Sequence, residues 1–136
     1  MSAPRINAID HLVLNVADIE TSCEFYVRVL GATAITFGDN RRALQIGAQK
    51  INLHPPVHRY SPVAHHPHRG SADLCFLTDT SLALWQTHLE AQGVAILLGP
   101  VARTGAMGPL TSLYLHDPDG NLIEIANQTK PTEDRA

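Results

Sequence analysis

Long apolar runs, blocks of like charge and a cysteine framework are all missing from this 136-residue chain. No stretch nears the roughly 20 apolar residues that a membrane-spanning helix needs. The opening MSAPRINAIDH carries no apolar signal core, so a cytoplasmic protein is expected. Two cysteines make no disulfide framework; Cys23 falls in a helical pattern and Cys75 in a strand pattern, and both are expected as buried free thiols. With a formal charge of −3 and no run of one sign, the chain has no electrostatic basis for holding nucleic acid or an acidic membrane. A small-molecule partner fits better. Aromatic residues are only 5% of the chain, which argues against a pocket walled by rings.

What the chain does have is a unit written twice. Residues 8 to 16 (AIDHLVLNV) and 72 to 78 (ADLCFLT) read as the same strand, with His11 in one copy where Asp73 stands in the other. In the first, Leu12, Leu14 and Val16 share one face and His11, Val13 and Asn15 the other. A helix follows over about 19 to 30, with Asp18 as cap, Glu20 in its first turn, Ile19, Cys23, Tyr26 and Leu30 at helical spacing, and Gly31 after it. Short strands are expected at 32 to 37, 42 to 47 and 49 to 54, parted by the turn signals GDN and GAQ. Arg41 and Arg42, before the second of these, read as a solvated edge.

The second copy repeats the order. It has a strand at 72 to 78 and a helix near 81 to 92 with Thr80 as cap, Leu82, Trp85 and Leu89 inward and Gly93 as stop. Strands follow near 94 to 98, 110 to 116 and 121 to 127, the last fed by the turn HDPDGN. Asp73 follows His11 by 62 residues and Gly93 follows Gly31 by the same 62, whereas Glu124 follows Asn52 by 72. About ten residues are therefore added late in the second copy, and growth of a loop at 99 to 109 is the simplest source. The organisation expected is one α+β domain built of two paired βαβββ modules. They span about 6 to 54 and 71 to 128, form a curved, cup-like mixed sheet with helices outside, and are followed by a polar tail at 129 to 136. Between the modules, residues 55 to 70 mix proline and histidine without periodicity and read as a surface linker. His54, at a strand end on the face of Asn52, stands apart from the linker histidines.

In all four paired strands the aliphatic neighbours point one way, and His11, Asn52, Asp73 and Glu124 point the other. His11, Asp73 and Glu124 gathered in a polar cup suit a divalent metal of intermediate hardness such as Mn, Fe(II), Ni or Zn. The plainer alternative leaves the two carboxylates facing solvent and the histidine hydrogen-bonded. In ARTGAMGP, Arg103 could grip a substrate carboxylate, with Thr104 and two glycines allowing close approach; an ordinary exposed loop has the same composition. Tyr114 and His116 share a face of the following strand and could line the cup or move protons, although Tyr114 also suits a purely structural place.

IDHLVLNVADIETSCEFYVRVLG and the closing DPDGNLIEI resemble the vicinal oxygen chelate superfamily, which includes glyoxalase I, extradiol dioxygenases, fosfomycin-resistance transferases and bleomycin-resistance proteins. RRALQIGAQKINLH, GSADLCFLT and GPVARTGAMGPLTSLYLHDPDGNLIEIAN are similar to its single-domain glyoxalase-domain proteins, such as glyoxalase domain-containing protein 5 and bacterial virulence-protein homologues. The resemblance implies a metal between paired modules, often in a homodimer, with His11 and Glu124 in the first and last ligand positions. It departs at the other two, where glyoxalase I usually has Glu in place of Asn52 and His in place of Asp73. One His and two carboxylates make a harder, more anionic set, which favours Mn, Mg or Fe(II). Asn52 could add its amide oxygen or hold a metal-bound water. The activity implied is that of a metal-dependent glyoxalase-like lyase or isomerase acting on vicinal oxygens, with Glu124 or a metal-bound hydroxide taking the carbon-bound proton and Arg103, Thr104, Asn52, His54, Tyr114 and His116 facing the substrate. An extradiol-type Fe(II) dioxygenase and a non-catalytic binding or resistance protein are the alternatives.

Overall fold

The computed structural model describes residues 3 to 57 and 60 to 129; His58, Arg59 and residues 130 to 136 of the expected tail lie outside them. The chain divides into two compact units between Arg69 and Gly70, each a mixed four-stranded sheet with one helix. No helix among the described residues is long and apolar enough to cross a membrane.

In the first unit, β1 (His11–Asn15) leads into α1 (Ile19–Leu30), then β2 (Thr33–Phe37), β3 (Arg41–Ile46) and β4 (Gln49–His54), in sheet order β1-β4-β3-β2. Helix α1 starts where Asp18 accepts the Thr21 backbone N–H at 2.8 Å. It stops at Gly31, whose φ of 73° is the left-handed turn in which its N–H reaches the Tyr26 and Val27 carbonyls. Its buried face (Cys23, Phe25, Tyr26, Val29) and the aliphatic face of the sheet (Leu14, Leu44, Ile51, Leu53) make the core of this unit. Both helix ends agree with the expectation, because caps are local chemistry.

Arg41 and Arg42 differ from it. They lie inside β3, an interior strand, and are half-buried; Arg42 pairs with Glu20 on α1, and Arg41 turns to the opposite face. The alternation that puts Leu44 in the core sends the two arginines to separate environments rather than to a solvated edge.

The second unit repeats the order with β5 (Asp73–Leu77), α2 (Leu82–Ala91), β6 (Leu98–Gly105), β7 (Gly108–His116) and β8 (Leu122–Gln128), arranged β5-β8-β7-β6. Ser81, not Thr80, caps α2, its hydroxyl accepting the Leu84 N–H; Thr80 has its own N–H turned to the Thr78 hydroxyl. The loop expected at 99 to 109 is mostly strand. β6 and β7 run 8 and 9 residues against 5 and 6 for β2 and β3, so the extra residues lengthen a hairpin. A register shift between Leu98 and Val101 marks its start. There Gly99, at φ 118°, lies so close to β7 that a Cβ would fall 2.4 Å from the Ser112 carbonyl oxygen, a position only glycine can occupy. Gly and Pro at this bulge and Gly at the hairpin tip conceal the strand from a composition-based reading.

Before β8, Asp117 accepts the backbone N–H groups of Asp119 and Asn121 and the Asn121 side-chain amide, while Asn121 accepts the Ala72 N–H. This buried network ties the entry of β8 to that of β5.

Two outcomes follow from this packing. Leu113 is fully buried and Leu97 about half exposed; in urea unfolding, Leu113→Ala costs about 2–5 kcal/mol, and Leu97→Ala stays within about 0.5 kcal/mol of the parent. The Thr21 N–H and hydroxyl hold the Asp18 carboxyl below its ordinary value. The cap therefore contributes fully above the unfolded carboxylate range and is lost as pH falls through the lowered folded value. Unfolding midpoints of wild type and Asp18→Ala accordingly differ at neutral pH and converge in acid.

Candidate functional site

Strand register decides which polar groups share a face. In the first unit His11 pairs with Lys50, Val13 with Asn52 and Asn15 with His54; in the second, Asp73 pairs with Leu122 and Cys75 with Glu124. The first strand is parallel to the last in both, and the step from His11 to the partner of Asn52 is the step from Asp73 to the partner of Glu124. His11 and Asp73 are thus equivalent by register, and so are Asn52 and Glu124, each pair lying on the face away from the module's helix.

On the first sheet, His11 is exposed, and its Nδ1 donates to Asp10 at 2.8 Å. A carboxylate only accepts, so this contact sets the tautomer and leaves Nε2 as the ring's lone-pair nitrogen. Asn52 is buried, and its Oδ1 has no hydrogen-bond partner among the described residues. A buried carbonyl oxygen with nothing to accept is costly unless a donor or cation meets it. His54, also buried, lies two residues along on the same face. Its Nε2 is 3.2 Å from Arg41 Nη2. Guanidinium cannot accept, so His54 Nε2 is the acceptor. The Arg41 guanidinium lies 4.2 Å from the Tyr60 ring centre and 5.0 Å from that of Phe37, and Lys50 Nζ is 3.8 Å over Phe37.

On the second sheet, the half-buried Glu124 accepts from the Ser112 hydroxyl at 2.6 Å. Ser112 is fully buried and lies diagonally across from Glu124 on the same face, where it fixes one carboxylate oxygen. Cys75 stands directly across from Glu124. Its sulfur is partly shielded from water within the sheet although the residue as a whole is exposed, and this pushes the thiol up to about 11, helped by the Glu124 charge, a hydrogen bond to Glu124, and Asp73. Cys75 is exposed rather than buried as expected, because β5 turns it to the polar face; Cys23 is buried. Asp73 and His116, both exposed, flank Leu122 in one register row. Tyr114 pairs with Glu124, and its hydroxyl accepts from Arg103 Nε at 2.8 Å, while Arg103 Nη1 donates to the Ala102 carbonyl. Thr104 falls on the opposite face from Arg103, one residue along the strand.

Asp73, Glu124, Tyr114, His116 and Arg103 thus share one face of the second sheet, and His11, Asn52 and His54 one face of the first. Among the described residues no three His, Cys, Asp or Glu side chains cluster as a metal site. Taken sheet by sheet, the His11 imidazole and unmet Asn52 oxygen of the first, and the Asp73 and Glu124 carboxylates of the second, are each donors of a kind that divalent cations accept. Sequence reasoning missed Asp10, Ser112, Tyr60 and the site-facing place of Arg41. Only Asp10 leaves a local signal, as the neighbour of His11.

A sequence profile of the Glyoxalase/Bleomycin resistance protein/Dioxygenase superfamily matches residues 8–125. The chain belongs to that superfamily. Virulence protein STM3117 of Salmonella typhimurium is 53% identical over 121 residues, spanning 89% of this chain and 84% of that protein. Its crystal structure superimposes with a TM-score of 0.90 over 93% of this chain and 100% of that one, at 51% identity. Glyoxalase domain-containing protein RDO1 of Mycosarcoma maydis is 45% identical over 122 residues, 90% of this chain and 69% of that protein. An integron cassette protein from the mobile metagenome of V. Cholerae is 52% identical, with a TM-score of 0.92 over 94% of this chain and 100% of that one. Membership in the glyoxalase superfamily agrees with the duplicated βαβββ order.

The Glu124 carboxylate favours the neutral thiol of Cys75, so removing its charge lowers the thiol's pKa. In a Cys23→Ser background, Glu124→Gln speeds iodoacetamide alkylation of Cys75 at about pH 9, and the pH-rate profile moves to lower pH than the parent's.

Proposed function

We propose that the chain is a metal-dependent, glyoxalase-like lyase or isomerase for a small molecule with vicinal oxygens. The observation that carries this reading is the register equivalence of His11 with Asp73 and of Asn52 with Glu124, two half-sets of metal-capable groups in a superfamily that includes glyoxalases. In this reading the modules pair as one domain or across a homodimer, so that His11, Asp73 and Glu124 ligate one divalent ion, with Asn52 offering its unmet oxygen. Exposed Leu77 and Leu98 on the Glu124 face support a covered, dimeric arrangement; the setting proposed is cytoplasmic.

When bound, the metal supplies electrophilic stabilisation of the two substrate oxygens. Glu124, oriented by Ser112, takes the proton from the carbon bearing hydroxyl and sulfur in a hemithioacetal and returns it to the neighbouring carbon. The carbonyl becomes a hydroxyl and the thiohemiacetal carbon becomes a thioester, with no atom gained or lost. Arg103 supplies positive charge to the intermediate oxygen, and Tyr114 keeps the guanidinium aligned. His116 and His54 border the substrate space as proton carriers.

Elemental analysis of untagged protein, beside an assay with methylglyoxal and glutathione, tests this. Expected are stoichiometric metal in wild type, its loss in His11→Ala and Glu124→Ala, and turnover lowered about a hundredfold or more in Glu124→Gln. Bound metal without turnover moves the reading to an extradiol-type dioxygenase, tested by oxygen consumption with catechols. Absence of metal after reconstitution with Mn, Fe(II), Ni and Zn leaves a non-catalytic binding protein.

A further inference from the structure

The polar face of the first sheet carries a cationic cluster that the proton-transfer chemistry leaves unused. Arg41 has no carboxylate partner among the described residues, although its neighbour Arg42 is paired with Glu20. Its recorded contacts are the Tyr60 and Phe37 rings and one N–H donated to His54. A guanidinium has five N–H donors, so most of the fork remains available, held in place by stacked rings and by a buried imidazole. Lys50, over the same Phe37, adds a second positive charge. Asn52, buried and two residues from His54 on the same face, aims an unmatched acceptor beside the cluster. Half-burying a cation without a counter-charge is unfavourable in the protein alone. The rings and His54 offset part of that cost, and an anion meeting the open part of the fork would offset the rest.

We propose that Arg41, held by Tyr60, Phe37 and His54, is an anion-recognition subsite that takes the carboxylate or phosphate-type oxyanion of a small-molecule ligand, with Lys50 as the supporting charge. The planar fork meets such a group edge-on through paired N–H donors. Asn52 Oδ1 then accepts from a hydroxyl or amide on the same ligand. Arg103 is the less suited cation, since Nε and Nη1 are already committed to Tyr114 and Ala102. The subsite requires no metal, so it stands or falls apart from the lyase reading.

The test is a ¹⁵N NMR titration of chelator-treated full-length protein with inorganic phosphate and, separately, malonate, following the Arg41 Nε–H and His54 ring resonances. Saturable shifts are expected with at least one probe, and the probe that saturates at lower concentration identifies the oxyanion class. Arg41→Gln weakens binding about tenfold or more. Arg41→Lys keeps the charge but loses the fork, and weakens it to a lesser extent. Arg28→Gln, on α1 across the sheet from Arg41 and paired with Glu24, leaves it unchanged. Should Arg41→Gln fail to fold by its amide spectrum, Arg41→Lys and Lys50→Gln decide. Shifts that rise linearly without saturation, or that survive unchanged in the Arg41 variants, overturn the proposal.

Discussion

Parallel pairing between the first and last strands of each module sets every other relationship around the site. Parallel strands cannot be joined by a tight turn, so the chain must cross over through a helix and a hairpin before the last strand lands beside the first. The landing register then determines which side chains become neighbours, since a slip of one residue would send Asn52 or Glu124 to the helix side. The aliphatic residues that alternate with them, Ile51 and Leu53 in one unit and Ile123 and Ile125 in the other, are almost fully buried and forbid that slip. Apolar burial on one face thus holds polar chemistry on the other.

The two units use this plan differently. The first exposes an imidazole and carries arginine and lysine among aromatic rings, so its polar face is cationic. The second carries two carboxylates, Asp73 and Glu124, with the Cys75 thiol on β5 across from Glu124 and a single arginine, Arg103, at the hairpin. Duplication of one backbone has left the two polar faces with different chemistry. The longer β6–β7 hairpin is the second unit's other departure, and it brings Arg103 and Tyr114 into contact.

Neighbouring groups refine this division. Ser112 orients Glu124, and Asp10 orients His11, each by a single hydrogen bond whose direction is fixed by which partner can only accept. Arg41 gains its orientation from rings and an imidazole, with no carboxylate paired to it among the described residues.

Much of this was legible in the residues alone. The duplicated order, the ends of α1, the alternation that separates Leu12 and Leu14 from His11, and the pairing of His11 with Asp73 and Asn52 with Glu124 all rest on local periodicity and capping, which nearest neighbours along the chain determine. Tertiary structure alone decided what lies across a strand or over it: Cys75 opposite Glu124, Ser112 diagonal to the carboxylate, Tyr60 from the irregular linker over Arg41, and a bulged strand where glycine and proline suggested a loop. These depend on register and on segments distant in the chain meeting, and hydrophobic alternation carries no record of which polar partner it will bring alongside.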